Sequence, residues 1–280
     1  MRPETLGVIG LGAMGGSVAW QASLAGVSRV LGYTRRPAEG VAAARAGAIS
    51  DLAPSVRFLV ERADLVILAA PPAATFDLFA PVARHLRPGA LCTDVVPAKG
   101  RIVEAARQAG LGDRFAGSHP AVALTRETFD GAEPAAFRRA LVYVTPAGDD
   151  DTPAREVADF WATVCDAEPV ILDAADHDAI VAWTRHLPRA VAAVLARACS
   201  ADGPRGVTYG PEAREVSRAA LGSVEVARDL FLLNREAVVA ALDDVETALG
   251  GLQRALRDAD TAALDAWLAD AAAWRGRLEP

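Results

Sequence analysis

The chain has 280 residues, 52% of them hydrophobic, 23% charged and 6% aromatic, a globular composition that excludes a disordered or collagen-like chain and fits about two domains. Its formal charge of -7 disfavours nucleic acid or an anionic membrane as partner. Three widely spaced cysteines (Cys92, Cys165, Cys199) exclude a disulfide framework or a cysteine-rich zinc site and fit a reducing cytoplasm.

Through residue 172, short apolar runs alternate with helical stretches. The runs are Leu6–Ile9, Val30–Tyr33, Leu65–Ala69, Leu91–Val95, Arg114–Gly117, Leu141–Thr145 and Val170–Leu172. Several are continuously apolar, as strands covered on both faces are. Gly15–Ala25, Ala38–Ala46 and Phe76–His85 carry apolar residues at helical spacing. This order predicts an α/β fold: a Rossmann-type, doubly wound, mostly parallel sheet over 1–172, with one of the two late runs as an antiparallel edge. From residue 173 the strand-like runs stop. Helices are expected over Ala175–Ala198, Glu212–Leu249 (broken near Gly222-Ser223) and Thr261–Arg277, giving an all-α domain over 173–280. Ser200–Tyr209 reads as a loop, Pro188 as a helix kink, Gly250-Gly251 as a helix stop and Asp260 as an N-cap. The broad apolar helix faces favour a homodimer. No apolar run approaches the roughly 18 residues of a membrane span, and Met1-Arg2-Pro3-Glu4 does not open a signal peptide.

The sharpest local signal is Gly10-Leu11-Gly12-Ala13-Met14-Gly15, which follows the first strand and opens a helix. The first glycine allows the turn, the second lets backbone approach a pyrophosphate, and the third lets helix and strand pack. The helix N-terminus adds N–H donors and partial positive charge. At the end of the second strand, where an NAD site usually places an acid, the chain reads Tyr33-Thr34-Arg35-Arg36. With a hydroxyl and two guanidiniums but no carboxylate there, Thr34, Arg35 and Arg36 favour the 2′-phosphate of NADP.

Ligands of such sheets sit outside the carboxyl ends of the strands. Ala70-Pro71-Pro72, Asp94–Lys99 and Ser118-His119-Pro120 all fall there. Pro71-Pro72 reads equally as a rigid wall beside a nicotinamide or as a strand terminator. Ala70, Pro71, Asp94 and Lys99 join the glycine turn as coenzyme-side candidates, although Lys99 reads more simply as a solvated helix start. His119, at a strand end stiffened by Pro120, is the candidate general base, since imidazole titrates near neutral pH. His177, between Asp176 and Asp178, reads as the polar start of a helix. Thr184-Arg185-His186-Leu187-Pro188-Arg189 gathers cationic groups on one helical face, suited either to a carboxylate ligand or to salt bridges. No histidine or cysteine spacing suggests a metal.

Taken together, Gly10–Ser17, Ala63-Asp64-Leu65 through Pro71, Asp94 through Lys99, Gly117-Ser118-His119-Pro120, Asp176-His177-Asp178, His186-Leu187-Pro188, Ser217-Arg218 and Asn234 resemble the prephenate/arogenate dehydrogenase family over nearly the whole chain. The resemblance implies an NADP-dependent oxidative decarboxylation of a cyclohexadienyl acid by a dimer. It makes His119 the acceptor of the hydroxyl proton, Arg218 the grip on a substrate carboxylate, and His186 part of the pocket lining. The substrate half departs from the family pattern. Pro97 stands where a serine is usual, Ala121-Val122-Ala123 replaces Met-x-Gly, and Thr125 replaces an acid. Arg185 and Arg189 flank His186-Leu187-Pro188 where the family reads serine and histidine. These edits point to a related substrate such as arogenate or an amino-substituted prephenate. The competing readings are a β-hydroxyacid dehydrogenase or imine reductase, and an NADP-binding sensor without catalysis.

Overall fold

The computed structural model describes residues 1–278 except 125, 202 and 204–207. Thr125 and part of the expected Ser200–Tyr209 loop therefore lie outside the described residues. Two compact units are present: Met1–Val181 with Leu221–Asn234, and Ala182–Ala220 with Arg235–Pro280.

In the first unit the chain runs β1 (Thr5–Ile9), α1 (Ala13–Leu24), β2 (Arg29–Tyr33), α2 (Pro37–Arg45), β3 (Asp51–Leu52), α3 (Val56–Val60), β4 (Leu65–Leu68), α4 (Pro72–His85), β5 (Leu91–Asp94) and α5 (Gly100–Gln108). The five strands pair in parallel in the order β3-β2-β1-β4-β5. The winding reverses between β1 and β4, which opens a crevice at their carboxyl ends. Then come β6 (Ala116–Pro120), β7 (Leu141–Pro146), α6 (Thr152–Cys165), β8 (Glu168–Ile171) and α7 (Ala174–Val181). β7 is antiparallel to β6, β8 is parallel to β7, and a parallel bridge from Cys92 to Phe115 sets this second sheet beside β5. Both late runs thus oppose β6, and β8 is the edge.

The continuous apolar strands have two cores to fill. Leu6, Val8, Leu65 and Ile67 pack with Val18 and Ala22 of α1 and Phe160, Trp161 and Val164 of α6. Their neighbours in sequence, Ile9, Val66 and Leu68, point to the other face with Leu59, Phe79, Val82, Ile102 and Val103. This period of two follows from the pleat. Each such side chain buried is worth about 1.5–3 kcal/mol, so burial on both faces fixes the parallel sheet. The second core also takes Leu230, with Val226 and Leu233 against it, from α10 (Val224–Leu233). That burial draws Leu221–Asn234 into the first unit, which continues through α7 beyond the division expected at residue 172.

The second unit holds a π-helical turn (Ala182–His186), α8 (Leu187–Ala201), α9 (Pro211–Ser217), α11 (Arg235–Arg257) and α12 (Thr261–Gly276). The expected helix Ala175–Ala198 is therefore interrupted, by a π turn two residues before Pro188 rather than by a simple kink. A proline has no N–H to give to the residue four back, and widening the preceding turn accommodates that loss. Gly250-Gly251 does not stop a helix; both lie inside α11. A glycine costs about 1 kcal/mol in a helix interior, and the apolar series Val245, Leu249, Leu252, Leu256 continues across the pair. The reversal comes later, where Ala259 takes φ 50°. Asp260 caps α12 by accepting the Ala263 N–H at 3.0 Å, as expected. Among the described residues, no helix is long and apolar enough to cross a membrane.

Candidate active site

Gly10 leaves β1 with φ 101°, a conformation glycine alone adopts readily. A Cβ on Gly10 would run into the Ala69 carbonyl, and one on Gly15 into the Gly10 carbonyl and the Ala69 side chain. The turn is thus locked between the ends of β1 and β4, beside Ala70 and with Pro71 as N-cap of α4. Leu11 and Ala13 are buried and Met14 packs on the core, so this turn offers a ligand backbone rather than side chains. Gly12 is the N-cap of the 12-residue α1, which has no acid in its first turn. A Cβ on Gly12 would lie 2.6 Å from the Glu127 carbonyl, which accepts the Ala13 N–H at 3.0 Å. Glycine backbone at the positive end of a helix is the chemistry that suits a pyrophosphate, and here the Glu127 carbonyl holds one of its N–H donors.

The Tyr33 carbonyl accepts the Gly10 N–H at 2.8 Å and so joins the glycine turn to the end of β2. The expectation of no carboxylate at that end is corrected by the fold. Glu39, in the first turn of α2, accepts the Thr34 hydroxyl at 3.2 Å and pairs with Arg36 at 3.2 Å. Arg35 is exposed.

His119 lies within β6 rather than in a loop after a strand, and its ring is buried. Its Nδ1 stands 2.9 Å from Nε2 of His177, whose Nδ1 stands 2.7 Å from Oδ1 of Asp178. His177 is therefore not a polar helix start: one turn into α7 it is fully buried. Burial holds its imidazole below the usual range, against the raising effect of the Asp178 hydrogen bond. For Asp178, burial acts upward, but hydrogen bonds from His177 and from the N–H groups of Lys99 and Gly100 bring the carboxyl below its ordinary value. A carboxylate only accepts, so the proton of His177 sits on Nδ1 and its Nε2 accepts in turn. His119 then donates from Nδ1, and its lone pair falls on Nε2. Tyr143 flanks both rings, with centroids 5.9 Å from His119 and 5.4 Å from His177. The Asn234 amide donates to the Asp178 carbonyl at 2.8 Å.

Lys99 is not a solvated helix start. It and Asp94 are both 0% exposed, with the ammonium 2.7 and 2.6 Å from the two carboxylate oxygens. The same carboxylate accepts the N–H groups of Val96 at 2.8 Å and Ser118 at 3.2 Å. Burial pushes the Asp94 carboxyl up and the Lys99 ammonium down, and their contact opposes both shifts. These two side chains are thus enclosed and paired with each other. They brace the start of α5, whose first N–H groups (Lys99 at 2.6 Å, Gly100 at 2.8 Å) are taken by Asp178. Ser118 is fixed from its other side by the Trp161 indole at 2.9 Å and Thr93 at 2.7 Å.

The remaining candidates belong to the second unit. His186 is buried in the π turn, Arg185 precedes it, and Arg189 is half-buried in the first turn of α8. Although Arg185 is exposed along much of its length, desolvation and the charge of Arg189 lower its guanidinium pKa. Arg218 is exposed just after α9. The first unit therefore unites the glycine turn, Ala70-Pro71 and the end of β2, and separately His119 with Asp94 and Lys99. Sequence reasoning missed His177, Asp178 and Glu39 as parts of these clusters. The run Asp176-His177-Asp178 was visible, but nothing local says that it is buried.

Residues 23–168 match the family model described as prephenate dehydrogenase, nucleotide-binding domain, and residues 173–270 match prephenate dehydrogenase, dimerization domain. The chain belongs to the prephenate dehydrogenase family. The first match begins after the glycine turn, which therefore stands on its own geometry. A prephenate dehydrogenase of Lactococcus lactis is 31% identical over 192 residues, 67% of this chain and 52% of that protein. The chain thus spans about half the length of that relative. The structure of a Synechocystis arogenate dehydrogenase aligns with TM-score 0.82 at 26% identity, covering 98% of this chain and 99% of that one. A prephenate dehydrogenase from A. aeolicus, solved in complex with hydroxyphenyl propionate and NAD+, aligns with TM-score 0.90 over 98% of both chains. At 24% identity that likeness shows the shared fold. His119 lies in the stretch matched by the nucleotide-binding model, and its partner His177 in the stretch matched by the dimerization model.

Proposed function

We propose that this member of the prephenate dehydrogenase family is an NADP-using dehydrogenase that oxidatively decarboxylates a cyclohexadienyl acid of the prephenate/arogenate type. The observation that carries the reading is the buried chain His119–His177–Asp178. It presents an imidazole whose proton is already placed on Nδ1, away from the nitrogen that must accept one. When bound, a nicotinamide coenzyme supplies the hydride acceptor. The glycine turn would hold its pyrophosphate, and Thr34, Arg35 and Arg36 its adenosine 2′-phosphate. His119 Nε2 takes the proton of the ring hydroxyl as the hydride leaves the same carbon. The ring carboxylate departs as carbon dioxide, and the proton returns to the phenolate oxygen of the aromatic product. Meanwhile His177 accepts from the His119 imidazolium and Asp178 steadies His177.

Arg218 is proposed to grip a substrate carboxylate, since a guanidinium clamps one in two places. His186, Arg185 and Arg189 are proposed to line the substrate side. The two close arginines support a substrate that differs from the family's usual one, such as arogenate or an amino-substituted prephenate. A homodimer is supported by the matched dimerization domain. The test is formation of reduced coenzyme on prephenate, arogenate and the amino-substituted analogue, with wild type and His119→Asn. The variant should lose roughly 10²–10⁴-fold in kcat, the range of a general base, while still binding coenzyme. Activity confined to an unrelated hydroxy acid would overturn the reading, and coenzyme binding with no turnover would favour a sensor.

A further inference from the structure

We propose that Glu39 is the residue that sets the balance between the two nicotinamide coenzymes, by placing a carboxylate on the groups that would otherwise be available to a 2′-phosphate. The inference rests on the reading that the coenzyme lies across the glycine turn with its adenosine ribose at the end of β2. Glu39 has no assigned role and does not stand at the position where an acid is normally sought. The fold brings it there. Its side chain is 11% exposed, with one oxygen on the Thr34 hydroxyl and the other 3.2 Å from the Arg36 guanidinium, itself 68% exposed. Thr34 is engaged from a second side, since its oxygen accepts the Arg36 N–H at 3.1 Å. A Cβ on the adjacent Gly40 would meet Leu52 at 2.8 Å and Thr34 at 3.4 Å, so α2 already lies flush on β2 and β3.

The two coenzymes differ only at the ribose 2′ position, and there the carboxylate acts on them in opposite senses. A 2′-phosphate must take Arg36 and Thr34 from Glu39 and then lie beside a like charge. A 2′-hydroxyl finds in the same carboxylate an acceptor of the kind that NAD sites use. Glu39 thus tempers the preference for NADP that Thr34, Arg35 and Arg36 create.

The experiment measures the dissociation constants of NADPH and NADH by nicotinamide fluorescence for wild type, Glu39→Gln and Glu39→Asp. Glu39→Gln should tighten NADPH about tenfold, with a steeper salt dependence, and leave NADH unchanged or weaker. Glu39→Asp keeps the charge and should stay within about twofold of the wild-type ratio. Equal shifts for both coenzymes would reduce Glu39 to a packing role and overturn the proposal. So would weaker NADPH binding, which would mean that Glu39 orients Arg36 for the phosphate. If Glu39→Gln does not fold, Glu39→Ser decides by the same ratio: NADPH tightens relative to NADH, and any other pattern overturns the proposal. The wild-type titration separates the two readings, because a chain that binds neither coenzyme loses the site itself.

Discussion

In His177, folding stability and the proposed chemistry meet in one side chain. With its folded value below the usual 6.5, the unfolded chain takes up a proton here before the folded protein does. The stability this residue contributes is present above about pH 6.5 and is lost as pH falls through that value toward the lowered one. Protonation also turns its Nε2 from acceptor to donor and sets it against the Nδ1 proton of His119. His177→Asn should therefore flatten the acid side of the Tm–pH profile and displace the acid limb of kcat/KM. On the proposed mechanism kcat should fall by roughly 10²-fold. A variant with an unchanged acid limb would show that His177 only fills space.

At the level of elements, the junction of β5 and α5 is the piece on which the histidine chain stands. Lys99 and Asp94 are enclosed, and removal of one partner leaves the other charge buried without compensation. Lys99→Met should destabilise the protein by about 3–5 kcal/mol, measured by denaturant unfolding. The double replacement with Asp94→Leu should recover part of that loss, because a buried pair exchanged for apolar groups is often neutral or better. The helical elements make the complementary point. Asp260 capped its helix as its chemistry dictates, whereas Gly250-Gly251 yielded to the apolar stripe running past it.

Across the whole molecule, the second unit leaves large apolar side chains exposed. Val194, Leu249, Leu256, Leu268 and Trp274 are exposed on α8, α11 and α12, with Trp274 at 57%. α12 buries no residue at all. Helices so furnished fit the dimerization domain that this stretch matches. If the proposed homodimer forms through these helices, Trp274→Glu should shift sedimentation toward the monomer and lower the Tm. An unchanged dimer would place the contact on other residues of these helices.

The order of strands and helices and the glycine turn were legible because each rests on short-range rules: the pleat, helical spacing, and the φ freedom of a glycine. Gly10-Leu11-Gly12 announces its turn wherever it occurs, and Leu65–Leu68 its burial on both faces. Three things were decided only in three dimensions: His177 beside His119, a carboxylate at Thr34, and the enclosure of Lys99. Each depends on segments distant along the chain, or on a helix turning one residue toward a strand, and hydrophobic patterning does not specify which polar groups the packing then forces together. The fold class followed from local preferences, and the protonation states of the candidate site from burial and the hydrogen bonds made within it, which only the folded chain creates.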